Sequence, residues 1–290
     1  MVQTGISFHK TRIAPTPTGY LHLGNVYSFA LTAALAQKYN AQILLRIDDL
    51  DHQRVNSAYV QDIFDTLEFL GIPWHEGPRN MQELEQEYSQ HRRLHLYRQA
   101  LQQLQNAGAV FACNCSRTTV LQNNAAGIYP GACLHRQLPF TNNAWRLDTS
   151  SPLMLAVKTL EGKTIQEPLP PEMQYFVVKK KDGFPAYQLA SLVDDLYFNV
   201  DFVVRGADLW ASTLAQQYLA TKLQRPAFGN ITFHHHPLLS SPDGNKLSKS
   251  AGSTSVQYLR KQGKTAADIY ALAGNLAGVG AIKSWKDILE

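Results

Sequence analysis

Apolar residues change their period several times along the chain, and those changes divide it into elements. Ser7 to Ile13 reads as a short strand, Gly24 to Tyr39 as a helix, and Gln42 to Ile47 as a second strand apolar on both faces. Strand, helix and doubly buried strand make a βαβ unit. Val60, Ile63, Phe64, Leu67 and Leu70 then recur at helical spacing until Gly71-Ile72-Pro73 stops the run. A further helix is expected from about Glu83 to Asn106, with Leu94, Tyr97, Leu101 and Leu104 as its buried stripe and Gly108 ending it.

From about Val110 to Pro185 the pattern breaks into short strands and proline-bearing loops, which reads as an insertion. The strand-and-helix rhythm returns from Ala186 to Phe233, with a strand at Asp201 to Arg205 and a helix at Leu214 to Leu223. A nucleotide-binding sheet split by an insertion explains both halves. The expected segments are therefore 1–109 and 186–240 for the catalytic halves, 110–185 for the insertion, and 241–290 for a lysine-bearing loop and a helical stem. No fixed-period repeat or low-complexity tract argues for an array or a disordered tail.

Composition narrows the class. A chain of 290 residues that is 44% hydrophobic and 17% charged buries at least one core and holds one or two domains. The net charge of +4 favours a polyanion only slightly. No apolar run approaches the roughly 18 residues of a membrane span, and the stretch up to Arg12 lacks a signal-peptide core. A cytoplasmic protein without a membrane partner is expected. The three cysteines, Cys113, Cys115 and Cys133, share one short stretch, and their odd number argues for a metal over a disulfide framework.

Two segments carry candidate chemistry. Arg12-Ile-Ala-Pro-Thr-Pro-Thr-Gly-Tyr-Leu-His-Leu-Gly-Asn25 runs from a strand through prolines and glycines into a helix N-terminus, whose N–H groups and dipole suit an anion. There Gly24 lets a nucleotide approach the backbone, and His22 can donate to a phosphate oxygen. In Leu239-Ser-Ser-Pro-Asp-Gly-Asn-Lys-Leu-Ser-Lys-Ser250 a tight turn precedes Lys246 and Lys249, three residues apart. Two ammonium groups can neutralise charge on a triphosphate as pyrophosphate leaves. Alone, the first is an ordinary strand-to-helix loop and the second solvated surface.

In this order the pair resembles the HIGH and KMSKS signatures of class I aminoacyl-tRNA synthetases. Arg12 to Gly24, Arg46-Ile-Asp-Asp-Leu-Asp51, Tyr187 to Asp195, Val204-Arg-Gly-Ala-Asp208 and Lys246 to Ser250 look like the glutamyl branch of that family. The resemblance implies an α/β fold: a Rossmann-type split parallel nucleotide-binding sheet, an inserted zinc-bearing acceptor-like subdomain and a short C-terminal helical stem. It makes His22, Lys246 and Lys249 catalytic, with ATP held by His22, Gly24 and Lys249. Glutamate would lie among Arg12, Ile13, Ala14, Pro15, Thr16, Asp48, Tyr187 and Arg205. Guanidinium forks suit carboxylates, and an acidic group suits the substrate ammonium. Two positions depart from the family: Asp48 stands where glutamate is usual, and Asn25 where the signature ends in histidine. Asp194 and Asp195 could organise a loop facing the tRNA or cap locally.

Cys113-Asn-Cys115 is followed by thirteen residues, Tyr129, three more and Cys133-Leu-His135. A closed structural zinc site wants four donors, and three are thiolates here. Ligand chemistry favours His135 as the fourth; the resemblance favours Tyr129. His234-His235-His236 is no metal site, because successive strand residues point to alternate faces.

Only about forty residues follow Ser250, too few for an anticodon-gripping module. With the cysteine pattern, this resembles the glutamyl-queuosine tRNA(Asp) synthetases. That implies glutamate activation by ATP and magnesium without tRNA, transfer to the queuosine base of tRNA(Asp), one structural zinc and a monomer. The alternatives are a shortened enzyme that charges a tRNA 3′ end and a non-catalytic tRNA-binding paralogue.

Overall fold

Strands β1 (Lys10–Ile13) and β2 (Gln42–Leu45) pair in parallel in a computed structural model, with Lys10 opposite Gln42 and Ile13 opposite Leu45. The structure describes residues 7–51, 53–239 and 255–289, so Lys246 and Lys249 lie outside the described residues. Helix α1 (Leu23–Lys38) connects the two strands and completes the expected βαβ unit. It is apolar on nearly every face, from Leu23 and Val26 to Leu35 and Ala36, as a helix buried on all sides must be.

The chain resolves into two compact units. The first comprises Met1–Arg92, Val200–Asp208 and His234–Glu290. In it β8 (Phe202–Gly206) lies beside β1, and the Asp201 N–H donates to the Lys10 carbonyl at 3.1 Å. Asp201 also takes the His9 and Lys10 N–H groups on its carboxylate, which pins the start of β1. Helix α2 (Ser57–Phe69), capped by Asn56, ends at carbonyls that distant residues satisfy. The Tyr270 hydroxyl donates to Leu70 O at 2.8 Å and the Trp285 indole to Gly71 O at 2.9 Å. Both donors belong to the expected helical stem, made of α8 (Val256–Lys261), α9 (Ala266–Ala277) and a 3₁₀ turn, Trp285–Leu289. A Cβ on Gly274 would meet the Gly280 carbonyl at 2.3 Å, so only glycine lets the chain fold back on α9 there.

One expected element is broken. Instead of a continuous helix from Glu83, the chain forms α3 (Met81–Glu83), a π turn at Leu84–Tyr88 and a 3₁₀ turn at Gln90–Arg93 before α4 (Leu94–Asn106) begins. The cause is Asp49. Its buried carboxylate accepts the Ser89 hydroxyl at 2.6 Å and the Gln90 N–H at 2.8 Å, and the Gln90 side chain accepts the Leu50 N–H. A regular helix would aim those donors at its own preceding turn.

The second unit comprises Arg93–Asn199 and Leu209–Phe233. It holds an antiparallel sheet in the order β3 (Val110–Cys113), β4 (Ala144–Leu147), β7 (Val177–Lys179), with α5 (Arg117–Asn123) beyond β3. The hairpin of β5 (Met154–Thr159) and β6 (Thr164–Pro168) pairs in parallel with the start of β9 (Thr232–His236), Lys158 facing Thr232. Helices α4, α6 (Tyr187–Tyr197) and α7 (Trp210–Lys222) cluster in the same unit, so its limits differ from the expected segment at 110–185. Polar bonds tie the three: Arg93 and Tyr97 to Asp194, Gln188 to Ser212, and Gln103 to the Leu223 carbonyl.

Candidate functional site

The loop before α1 is built around His22. Its Nδ1 accepts the Gly24 N–H at 3.1 Å, and the Asn25 side chain accepts the His22 N–H at 3.1 Å, a reciprocal capping box. Because Nδ1 is the acceptor, the neutral ring carries its proton on Nε2, where it can be donated to an anion. Gly24 has a further reason to lack a side chain: its Cβ would lie 2.9 Å from the imidazole. Asn25 thus has a role that its place in the signature did not suggest. The signal was a side-chain acceptor at the third position of a helix, obscured because histidine is not among the common caps.

Of the expected amino-acid pocket, the first unit brings several members together. The Arg46 N–H donates to Ile13 O and the Asp48 N–H to Pro15 O, both at 2.9 Å. Ile13, Ala14, Pro15 and Thr16 therefore run as a backbone wall beside Arg46–Asp48. Arg12 Nη1 donates to the Val204 carbonyl at 3.3 Å, which seats that guanidinium next to the residue preceding Arg205. Both arginines are buried. His235 reports their field: burial first, then the charges of Arg205, the flanking histidines and Arg12, push it down to about 3. A neutral imidazole among two guanidinium groups marks a region that suits a dicarboxylate. Sequence reading set His235 aside as a metal ligand and did not see this neighbourhood.

Asp48 is already engaged. Arg46 grips it with Nε to Oδ1 at 2.7 Å and Nη2 to Oδ2 at 3.1 Å, a bidentate pair two residues apart. The fork holds that carboxylate to one orientation. Tyr187 opens α6 in the second unit and is 43% exposed, so its ring is accessible to a ligand.

Asp194 neither caps a helix nor faces a loop. It is fully buried in α6, where Arg93 forks it at 2.9 and 3.2 Å, the Tyr97 hydroxyl donates at 2.7 Å, and Arg93 stacks 4.9 Å from the Phe198 ring. That is an internal clamp between α4 and α6. Asp195 is buried beside it.

The three cysteines converge, with their sulfurs all within 4.8 Å of one another. Cys115 and Cys133 sulfurs lie 3.6 Å apart. Tetrahedral zinc–thiolate bonds would set sulfurs roughly 3.8 Å apart, so the donor set fits that metal. The Tyr129 oxygen lies beside the three, 3.4 Å from the Cys113 sulfur, and accepts the Cys133 N–H at 2.8 Å. His135 is exposed and does not join the group. Arg146 lies 3.9 Å from the Tyr129 ring. Burial pushes the Tyr129 phenol up and the Cys115 thiol up to about 11. In Cys133, hydrogen bonds from Tyr129, the Asn114 backbone and the other thiols outweigh burial and lower it to about 7.

The family model described as tRNA synthetases class I (E and Q), catalytic domain, matches residues 9–133 and 153–274. A curated relative named glutamyl-Q tRNA(Asp) synthetase, from Symbiobacterium thermophilum, is 33% identical over 283 residues, covering 92% of this chain and 86% of that one. Another of that name, from Pseudomonas aeruginosa (strain LESB58), is 35% identical over 244 residues, covering 84% and 78%. Glutamate–tRNA ligase 2 of Syntrophus aciditrophicus is 31% identical over 295 residues, and this chain spans 58% of its length. Among solved structures, a glutamate-tRNA synthetase from Elizabethkingia anophelis superposes with a TM-score of 0.76 at 21% identity, over 98% of this chain and 65% of that one. At that identity the likeness concerns the fold.

Proposed function

The chain belongs to the class I tRNA synthetases of the glutamate and glutamine group, and from that premise we propose that it activates L-glutamate with ATP, without tRNA, and passes it to the queuosine base of tRNA(Asp). The observation that carries the first half is the placement of Arg12 and Arg205 beside the Ile13–Thr16 wall, with Asp48 oriented by Arg46. Two guanidinium groups serve the carboxylates of the substrate, and Asp48 serves its ammonium, through a water if its shorter side chain falls short.

In the first step a glutamate carboxylate oxygen attacks the α-phosphorus of ATP and pyrophosphate leaves. His22 Nε2–H and the Lys246 and Lys249 ammonium groups stabilise the charge that develops, so the work is positioning and electrostatics. Magnesium, carried in with ATP, would supply Lewis-acid charge stabilisation. A hydroxyl of the modified base then attacks the adenylate carbonyl and releases AMP. Cys113, Cys115, Cys133 and Tyr129 would hold a structural zinc ion, which takes no part in the reaction.

Support for the acceptor is of two kinds. Relatives named glutamyl-Q tRNA(Asp) synthetase match at 33% and 35% identity over most of their own length. The cationic excess of the chain also sits in one place: the second unit has 12 Lys and Arg against 7 Asp and Glu, the first 15 against 16. A polyanionic partner suits the former. The test supplies labelled glutamate, ATP and magnesium with tRNA from cells that make queuosine and from cells that do not. Label confined to the first pool supports the base as acceptor. Equal label in both supports 3′ charging, and none in either supports a non-catalytic paralogue.

A further inference from the structure

Asp62 is a buried carboxylate that the chemistry above does not use. It lies in the first half of α2, 3% exposed, and its Oδ2 accepts the Leu21 N–H at 3.1 Å. Its Oδ1 makes no close hydrogen bond, and the polar group nearest it in the helix is the Thr66 hydroxyl one turn further along, which is too poorly placed to satisfy it fully. The charged groups around it are Arg260 of α8, which attracts it, and Asp65, which repels it. Arg260 itself lies 5.0 Å from the Phe69 ring. An apolar residue at this position would pack the same helix face without taking a charge out of water, so fold stability does not account for the group.

What Asp62 holds is more informative. Leu21 immediately precedes His22, and the peptide groups on either side of its Cα are both held. The N–H goes to Asp62, while the carbonyl accepts the Val256 N–H at 2.8 Å, and His22 pairs with Ser255 in an antiparallel bridge. Residues 255 and 256 come directly after the stretch that carries Lys246 and Lys249. One backbone unit is thus the joint between the helix α2, the loop that presents His22, and the far end of the lysine segment.

We propose that Asp62 is a positioning residue of the ATP site, fixing the Leu21–His22 backbone so that the His22 loop and the base of α8 are held in one arrangement. This rests on the ATP role given to His22 above. Asp62 touches no substrate; it acts through the peptide it holds. The account separates ATP from glutamate, because Arg12 and Arg205 are held by other contacts.

The variants are Asp62→Ala, which removes the acceptor, and Asp62→Asn, which keeps an oxygen for Leu21. A third, Val256→Pro, deletes the opposite N–H at a first helical position, where proline is tolerated. In glutamate-dependent ATP–pyrophosphate exchange, Asp62→Ala should raise the ATP KM about tenfold, the scale of one lost buried hydrogen bond, with the glutamate KM within about twofold. Val256→Pro should do the same, and Asp62→Asn should restore the ATP KM to within about threefold of wild type. Amide hydrogen exchange read in parallel should quicken at Leu21 and Val256 in Asp62→Ala and not in α9.

An ATP KM unchanged in folded Asp62→Ala, or an equal rise in both substrates' KM, overturns the proposal. Should Asp62→Ala fail to fold, an unchanged ATP KM in Val256→Pro overturns it in the same way. If wild-type enzyme shows no exchange at all, the activity assigned above has failed, and the amides alone decide: unaltered protection at Leu21 in Asp62→Ala overturns the hold, and faster exchange supports it.

Discussion

Among the described residues two buried arginine–aspartate pairs share nearly the same fork, one in each compact unit. Arg46 and Asp48 meet at 2.7 and 3.1 Å across two residues; Arg93 and Asp194 meet at 2.9 and 3.2 Å across a hundred and one. The surroundings differ. Asp194 also takes the Tyr97 hydroxyl, and Arg93 stacks on Phe198, so these contacts join the start of α4 to α6 and its C-cap. The Asp48 N–H instead donates to the Pro15 carbonyl, within the wall expected to hold an amino acid. Pair geometry alone therefore does not distinguish a clamp from a site; what else each carboxylate faces does. Taking two charges out of water costs several kcal/mol per ion, so either pair has to be fully satisfied to persist.

The comparison can be broken most forcefully at Asp194. Asp194→Ala strands a buried guanidinium and should cost about 3–5 kcal/mol in urea unfolding, while the fraction that remains folded keeps its glutamate KM. A loss below about 1 kcal/mol, or a change in that KM, would contradict the clamp. Asp48→Asn should behave in the opposite sense. It keeps an acceptor for Arg46 and should cost only about 1 kcal/mol of stability, yet raise the glutamate KM by roughly 10- to 100-fold through a lost charge-assisted bond. An unaltered KM would make Asp48 a second clamp.

The cysteine cluster poses the same question for Tyr129. Competition against a chromogenic chelator should show Tyr129→Phe binding zinc at least about tenfold more weakly and His135→Ala unchanged, and the reverse ranking would return the fourth corner to histidine. Trp285→Phe tests a purely structural donor: loss of its bond to Gly71 O should cost about 1 kcal/mol and leave both substrates' KM alone. The smallest effect is expected from pH. Burial raises the Asp62 pKa, so its protonated form is favoured in the folded chain, and the penalty of the charge is present above that pKa and relieved as pH falls. Asp62→Asn removes the penalty; its gain in melting temperature over wild type should therefore be larger at pH 8 than at pH 4.

The sequence pattern disclosed what short-range order decides. The β1–α1–β2 unit and the breaker after α2 follow from periodicity and punctuation within a few residues, whereas the helical stem was expected from the family resemblance. The interruption at Leu84–Arg93 did not, because its cause is a carboxylate forty residues earlier that takes Ser89 and Gln90 out of the helix. Nor could spacing choose between Tyr129 and His135, since only the folded chain puts the phenol against Cys113 and leaves the imidazole exposed. Arg12, Asp48 and Arg205 were found by motif. Their convergence, the closing of the His22 cap by Asn25 and the grip of Asp62 on Leu21 depend on contacts that no local window contains.

The most direct test of the central claim is ATP–pyrophosphate exchange with purified protein, magnesium and no RNA. The account predicts exchange that requires glutamate, saturates with it and is not supported by glutamine. Exchange that appears only when tRNA is added, or that glutamine supports equally, would contradict it.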